Sequence, residues 1–253
     1  MGRRNKRQPI LIENIEIIDT ASKGKSVARH DGRAIFVQGG VPGDICDITV
    51  FKRKKKFWEA RIEKIHTYSE RRTKPKCEHF GTCGGCKWQN MKYESQLKFK
   101  QNAVLNNLKR ISGIELPSHS EILASENQYF YRNKMEYTFS NKRWLTVAEI
   151  QSKEEIVNKN ALGFHFPRMF DKVIDINNCY LQKEPSNSIR LSVKQFADEN
   201  NLTYFDIRNH TGLLRNLMFR TSSTNDLMVL VQFYEDDEKN IKLLMEHIKT
   251  SFP

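Results

Sequence analysis

Three cysteines stand within ten residues, Cys77-x5-Cys83-x2-Cys86, on a stretch that also holds Gly81, Gly84 and Gly85; Cys179 lies far downstream and Cys46 near the front. Glycine lets a backbone turn sharply, so such a loop can wrap several thiolates round one centre and turn its amides toward sulfur. Zinc favours four-coordinate closure by two short knuckles, and only one C-x2-C is present. A cubane iron-sulfur cluster suits three clustered ligands plus one remote. On spacing alone, iron-sulfur, zinc and plain thiols all stay open. His79, inside the loop, is expected to face solvent, and Cys46, in an apolar β run, to serve as a small core residue.

The second constellation is Phe51-Lys-Arg-Lys-Lys-Lys-Phe-Trp58. Five consecutive cations, Lys52, Arg53, Lys54, Lys55 and Lys56, run between aromatics. In a hairpin they form a ladder that can follow a phosphate backbone, while Phe57 or Trp58 offers a stacking face to a splayed base. The competing reading is a solvated hairpin tip with its aromatics packed inward. Arg132 and Lys134 flank a strand entry and are further candidates for RNA contact, with a structural ion pair as the alternative.

The charge distribution supports the first reading. The 253-residue chain carries +12, and residues 1–76 hold 19 basic and 9 acidic side chains, so +10 of the excess lies there. A concentrated basic surface points to a polyanion, either nucleic acid or an anionic membrane. The longest apolar run, 227–234, is far short of the roughly 20 residues a membrane span needs. Glu13, Asn14, Glu16 and Asp19 interrupt any apolar signal segment behind the basic N-terminus. The expected location is the cytoplasm, where five cysteines favour metal or catalytic roles over disulfides.

Two kinds of element position these residues. Residues 10–19, 33–38, 44–51 and 57–65 are short β-branched or alternating runs separated by Lys23-Gly24, Asp31-Gly32 and Gly39-Gly40-Val41-Pro42-Gly43, which predicts four or five strands of a small barrel. Ser69–Lys76 is polar and carries a proline, so we divide the chain into residues 1–70 and 71–253. Beyond it, helices are predicted at 93–111, 185–200 and 236–248. Strands are predicted at 134–139, 161–166 and 172–176, with a hairpin over 215–233. The fold class is α+β.

Cys77-Glu-His-Phe-Gly-Thr-Cys83-Gly-Gly-Cys86-Lys-Trp-Gln89, Tyr93, Gln96, Tyr131-Arg-Asn-Lys134, Gly163-Phe-His165 and Phe170-Asp-Lys-Val-Ile-Asp-Ile-Asn-Asn-Cys-Tyr-Leu-Gln182 occur in the order found in the bacterial 23S ribosomal RNA (uracil-5-)-methyltransferases, which this chain resembles. The resemblance implies a [4Fe-4S] cluster on Cys77, Cys83, Cys86 and Cys179. It implies that residues 1–70 are a TRAM domain, an OB-like five-stranded RNA-binding barrel, and that 71–253 is a mixed α+β iron-sulfur domain. It also implies large-subunit ribosomal RNA as the partner and S-adenosyl-L-methionine as methyl donor, with neither a membrane nor an obligate protein partner.

That chemistry needs a thiolate to attack C6 of uracil, a base for the C5 proton and a cofactor pocket. The twelve glycines include no G-x-G. With four of five cysteines assigned to the cluster and Cys46 in the barrel, no catalytic residue is carried over. The expectation is that the Rossmann-like methyltransferase domain is absent, lying beyond residue 253. The chain is then the RNA-recognition portion of the enzyme, inactive alone, or else a stand-alone RNA-binding iron-sulfur or zinc protein.

Overall fold

The computed structural model describes residues 8–152, 155, 156 and 158–253. The chain forms two compact units, Met1–Lys76 with Gly85–Glu126 and Cys77–Gly84 with Asn127–Pro253. It therefore passes between them more than once.

In the first unit, β1 (Ile10–Glu16), β2 (Asp19–Ala21), β3 (Lys25–His30), β4 (Arg33–Gln38), β5 (Ile45–Arg53) and β6 (Phe57–Thr67) build one sheet in the order β1-β5-β6-β4-β3-β2. The two edges of that order, β1 and β2, are nearly continuous in the chain. The first half pairs with β5 and the second with β3, and this shared segment closes the sheet on itself. All pairs are antiparallel except β4 with β6, where Ala34 faces Phe57 and Gln38 faces Arg61. Irregular register at three points between β5 and β6 supplies the extra twist that closure requires. Alternation sends Ile12, Ile15, Ile17, Ile35, Val37, Ile48 and Val50 into one buried core, with Cys46 among them. Burial pushes the Cys46 thiol up to about 11, as expected of a core residue.

Among the described residues, this first sheet has six strands where four or five are expected. Lys25–His30 escapes a pattern search because its inward positions are the small residues Ser26 and Ala28. The expected strand over 10–19 divides into β1 and β2.

The turn between β4 and β5 is fastened by Asp44, which is fully buried. Its carboxylate accepts the N–H of Val41 at 2.6 Å and of Ser69 at 3.0 Å, and takes both Nε and a terminal nitrogen of Arg72 at 2.7 Å each. Gly43 sits at φ +97°, and a Cβ there would meet Ser69 Oγ at 2.8 Å, so this turn requires glycine. Residues 69–73 then pair with 90–92 through Thr73 N–H to the Asn90 carbonyl at 3.0 Å and Lys92 N–H to the Arg71 carbonyl at 2.8 Å. Helix α1 (Tyr93–Ser112) follows and stops at Gly113, which takes the left-handed conformation. None of its residues is buried: Val104, Leu108 and Ile111 are 57, 48 and 85% exposed.

The second unit holds β7 (Lys134–Ser140), α2 (Val147–Ser152), β8 (Ala161–His165), β9 (Val173–Asp175), α3 (Ser186–Glu199), β10 (Leu214–Thr221), β11 (Leu227–Phe233) and α4 (Glu238–Ser251). Its five-stranded sheet, β11-β10-β7-β8-β9, is antiparallel throughout. Met135, Tyr137 and Phe139 alternate inward from β7, and Leu214, Leu217 and Phe219 from β10. The stripe Ile189, Val193 and Ala197 of α3 is buried, and α3 also packs on α4. The short α2 is not anticipated from the sequence; a single turn and a half carries too little periodicity to be seen.

Candidate RNA surface and cysteine loop

The basic run forms the β5–β6 hairpin tip, with Lys52 opposite Glu59 and Arg53 opposite Trp58. Its members fare differently. Lys52 Nζ lies 2.9 Å from Glu59 Oε1, and Lys25 reaches the other oxygen at 2.8 Å. These bonds from Lys25 and Lys52 hold the Glu59 carboxyl down at about 2. Arg53 donates to the Gln8 carbonyl at 3.2 Å. Lys54, Lys55 and Lys56 are exposed. Phe57 packs edge-on against Phe36 with ring centres 5.3 Å apart, and the Arg33 guanidinium sits 4.7 Å over the Trp58 ring. Both aromatics are only half-buried, so the barrel occupies part of each stacking surface.

Arg132 and Lys134 belong to the second unit and are exposed. Lys134 pairs with Glu136 at 3.3 Å, its side chain 43% exposed, which makes a weak surface bridge. Arg132 is anchored through its backbone N–H to the Leu181 carbonyl at 2.8 Å.

Of the four expected metal ligands, Cys77, Cys83 and Cys179 fall in one unit, and Cys86 is assigned to the other. The 77–83 loop is a tight double turn: Phe80 N–H bonds the Cys77 carbonyl, and both Thr82 and Cys83 N–H bond the His79 carbonyl. His79 departs from expectation. Its side chain is 14% exposed, and Nε2 accepts the Asn177 N–H at 3.0 Å. Burial pushes the imidazole pKa down, which keeps it neutral and able to accept that bond. The bond ties the cysteine loop to a point two residues before Cys179.

Cys179 is held from α3. Its backbone N–H donates to Asn187 Oδ1 at 2.9 Å and its carbonyl accepts from Asn187 Nδ2 at 3.1 Å. One helical turn on, Arg190 is wholly buried; its guanidinium donates to the carbonyls of Ile176 and, at 2.9 Å, Asn177, and lies 5.3 Å over the Tyr137 ring. It has no carboxylate within ion-pair distance among the described residues. The sequence reading misses Arg190, although helical spacing puts it on the same face as Val193 and Ala197.

The fit to a metal-sulfur cluster divides in two. The donor chemistry suits one: four thiols are available, and the buried Arg190 guanidinium lies within electrostatic reach of the Cys179 sulfur. The side-chain positions do not, since no group of three or more His, Cys, Asp or Glu residues is placed to hold a metal ion among the described residues. No described helix is long and apolar enough to cross a membrane.

Residues 3–62 match the TRAM domain family. Over 92% of its length, the chain is 46% identical to an uncharacterized RNA methyltransferase of Bacteroides thetaiotaomicron. It is 42% identical over 94% of its length to one of Porphyromonas gingivalis. It spans about half of each, 52%. Among solved structures, 91% of the chain aligns with 48% of the Pyrococcus abyssi tRNA (uracil-54, C5)-methyltransferase in complex with S-adenosyl-L-homocysteine, at TM-score 0.59 and 24% identity, a likeness of fold.

These matches correct linked expectations: that a methyltransferase domain is absent from this chain, that the chain is only an RNA-recognition portion or a stand-alone RNA-binding protein, and that it is inactive alone. The matches cover 92 and 94% of this chain, so both units align with proteins named RNA methyltransferase, of which the chain spans about half. The expectation rested on the assignment of every cysteine but Cys46 to the cluster and on the lack of a G-x-G turn. That fingerprint marks one way of seating a nucleotide and does not delimit every fold that serves methyl transfer.

Proposed function

We propose that the protein is an S-adenosyl-L-methionine-dependent RNA (uracil-C5)-methyltransferase of the cytoplasm, acting on large-subunit ribosomal RNA. The observation that carries this reading is the TRAM barrel presenting Lys54, Lys55 and Lys56, all exposed, at one hairpin tip. Its similarity to proteins named RNA methyltransferase supplies the reaction class. S-adenosyl-L-methionine provides the methyl group; the residues of this chain bind and orient the RNA. Lys52 and Arg53, engaged by Glu59 and Gln8, stiffen the hairpin. Phe57 and Trp58 flank the tip, and Arg132 and Lys134 add contacts from the second unit.

The test has two parts. Binding of the chain to ribosomal RNA fragments is measured against salt; Lys54, Lys55 and Lys56 changed together to Ala lower the slope of log affinity on log salt by about two to three. Unchanged binding makes the run a solvated tip only. Ribosomal RNA from cells lacking the gene loses one 5-methyluridine, and an unaltered modification pattern overturns the assignment to ribosomal RNA.

We also propose that Cys77, Cys83, Cys86 and Cys179 carry a [4Fe-4S] cluster with a structural role, fully ligated by thiolate and closed to substrate. The His79 bond to Asn177 and the buried Arg190 beside the Cys179 turn support it. Anaerobically purified protein then contains iron and sulfide in equal amounts. Their absence removes the cluster, and zinc in their place makes the site a zinc staple.

A further inference from the structure

The β8–β9 connection in the second unit presents a surface that the proposed function has not used. Phe166 N–H bonds the Lys172 carbonyl at 2.8 Å and Met169 N–H bonds the Phe166 carbonyl at 3.0 Å, which folds 166–172 into a compact tip. The base of the tip is rigid, because Phe166 stacks on Trp144 with ring centres 4.8 Å apart and planes within 9°. The end of the tip is apolar and open: Met169 is 47% exposed and Phe170 63%.

An aromatic ring left this far in water forfeits most of what its burial would contribute. What surrounds Phe170 is cationic. The Arg208 guanidinium lies 5.5 Å over its ring, oriented by Asp171, which takes two of its nitrogens at 2.7 Å. Asp171 is nearly buried, whereas the Arg208 side chain is 58% exposed, so the carboxylate fixes the cation without covering it. Arg168 projects from the tip in the left-handed region at φ +72°, and Arg168 and Lys172 make no ion pair among the described residues. An exposed aromatic ring with a guanidinium on one face and further cations beside it in the chain is a combination that holds an unpaired nucleotide, with the ring stacking on the base and the cations meeting the phosphates.

We propose that the 166–172 tip is a second RNA contact, in which Phe170 stacks on one unpaired base while Arg168 and Arg208 hold the adjacent phosphates. The inference rests on the RNA-binding reading above and adds to it a site for a base. The TRAM hairpin offers exposed cations with half-buried rings, and this tip offers a mostly exposed ring with one guanidinium on a face and the rest available to a base.

The experiment compares two ligands of equal length and charge, a single-stranded oligouridine and the same sugar-phosphate chain without bases, by fluorescence anisotropy with the full chain. Phe170→Ala weakens oligouridine binding about tenfold, the loss of one stacked base, and leaves binding of the abasic chain unchanged. Phe170→Trp restores it. Arg168→Gln weakens both ligands and lowers the salt slope by about one. The Lys54, Lys55, Lys56 triple variant weakens both ligands alike, and this separates the two surfaces. Equal affinity of Phe170→Ala and the parent for oligouridine overturns the proposal, as does an equal loss on the abasic chain, which would make the tip a packing surface for protein. Failure of the parent chain to bind either ligand overturns the RNA-binding reading itself.

Discussion

Asp44→Ala lowers the unfolding free energy of the barrel unit by about 3–5 kcal/mol. The carboxylate is fully buried and satisfies four donors: two nitrogens of Arg72 and the N–H groups of Val41 and Ser69. Removing it strands a guanidinium whose side chain is only 18% exposed, and leaves two N–H groups without acceptors. Each stranded buried donor costs on the order of 1–3 kcal/mol, because the protein does not replace the water it lost. Arg72→Ala falls in the same range by the converse route, leaving the carboxylate without its cation. Denaturant unfolding followed by far-ultraviolet circular dichroism measures both. A loss under about 1 kcal/mol for either variant would show that water replaces the missing partner.

Arg190→Ala comes next in size, with an expected loss of about 3–4 kcal/mol in the second unit. Two terms add. The wholly buried side chain leaves a cavity beside Tyr137, and the carbonyls of Ile176 and Asn177 lose their donor. A third term opposes them, since a buried cation carries a desolvation cost that alanine relieves. Arg190→Met separates the contributions: it fills most of the volume and relieves the charge, so its loss, about 2 kcal/mol, reports the two carbonyls alone. If Arg190→Met is as stable as the parent, the guanidinium does not hold the turn that leads into Cys179. Unfolding followed by near-ultraviolet circular dichroism reads the aromatic cluster of Tyr137 and Phe219 directly.

The elements were legible wherever one face of a repeat is apolar. Helix α1 begins at Tyr93 as the spacing predicts, and β7, β8 and β10 fall within a residue or two of their expected spans. Strand β3 was not, because a small core takes Ser26 and Ala28 as readily as larger residues, and alternation of small side chains leaves no signal. The basic run was legible as a hairpin, but not the division within it. Only the register that sets Lys52 against Glu59 shows which cations are already engaged. His79 was misplaced for a related reason: its acceptor bond to Asn177 spans 98 residues, and no local pattern carries a contact of that length. The Phe170 tip was hidden too, since exposure of a ring is a property of its neighbours in space.

The parallel pairing of β4 with β6 also orders events as the chain leaves the ribosome. The β2-β3-β4 meander closes through local turns as soon as residue 38 is available. The free edge of β4 must then wait for residues 57–61, and β1, made first, must wait for β5. During that interval two strand edges stand unpaired, which is the state most prone to association between nascent chains. Ser26, Arg29 and Arg33 keep the early meander polar, and the cationic tip arrives between the two strands that finally cover both edges. The charges proposed to meet RNA in the folded protein would thus also keep neighbouring chains apart while the barrel is still open.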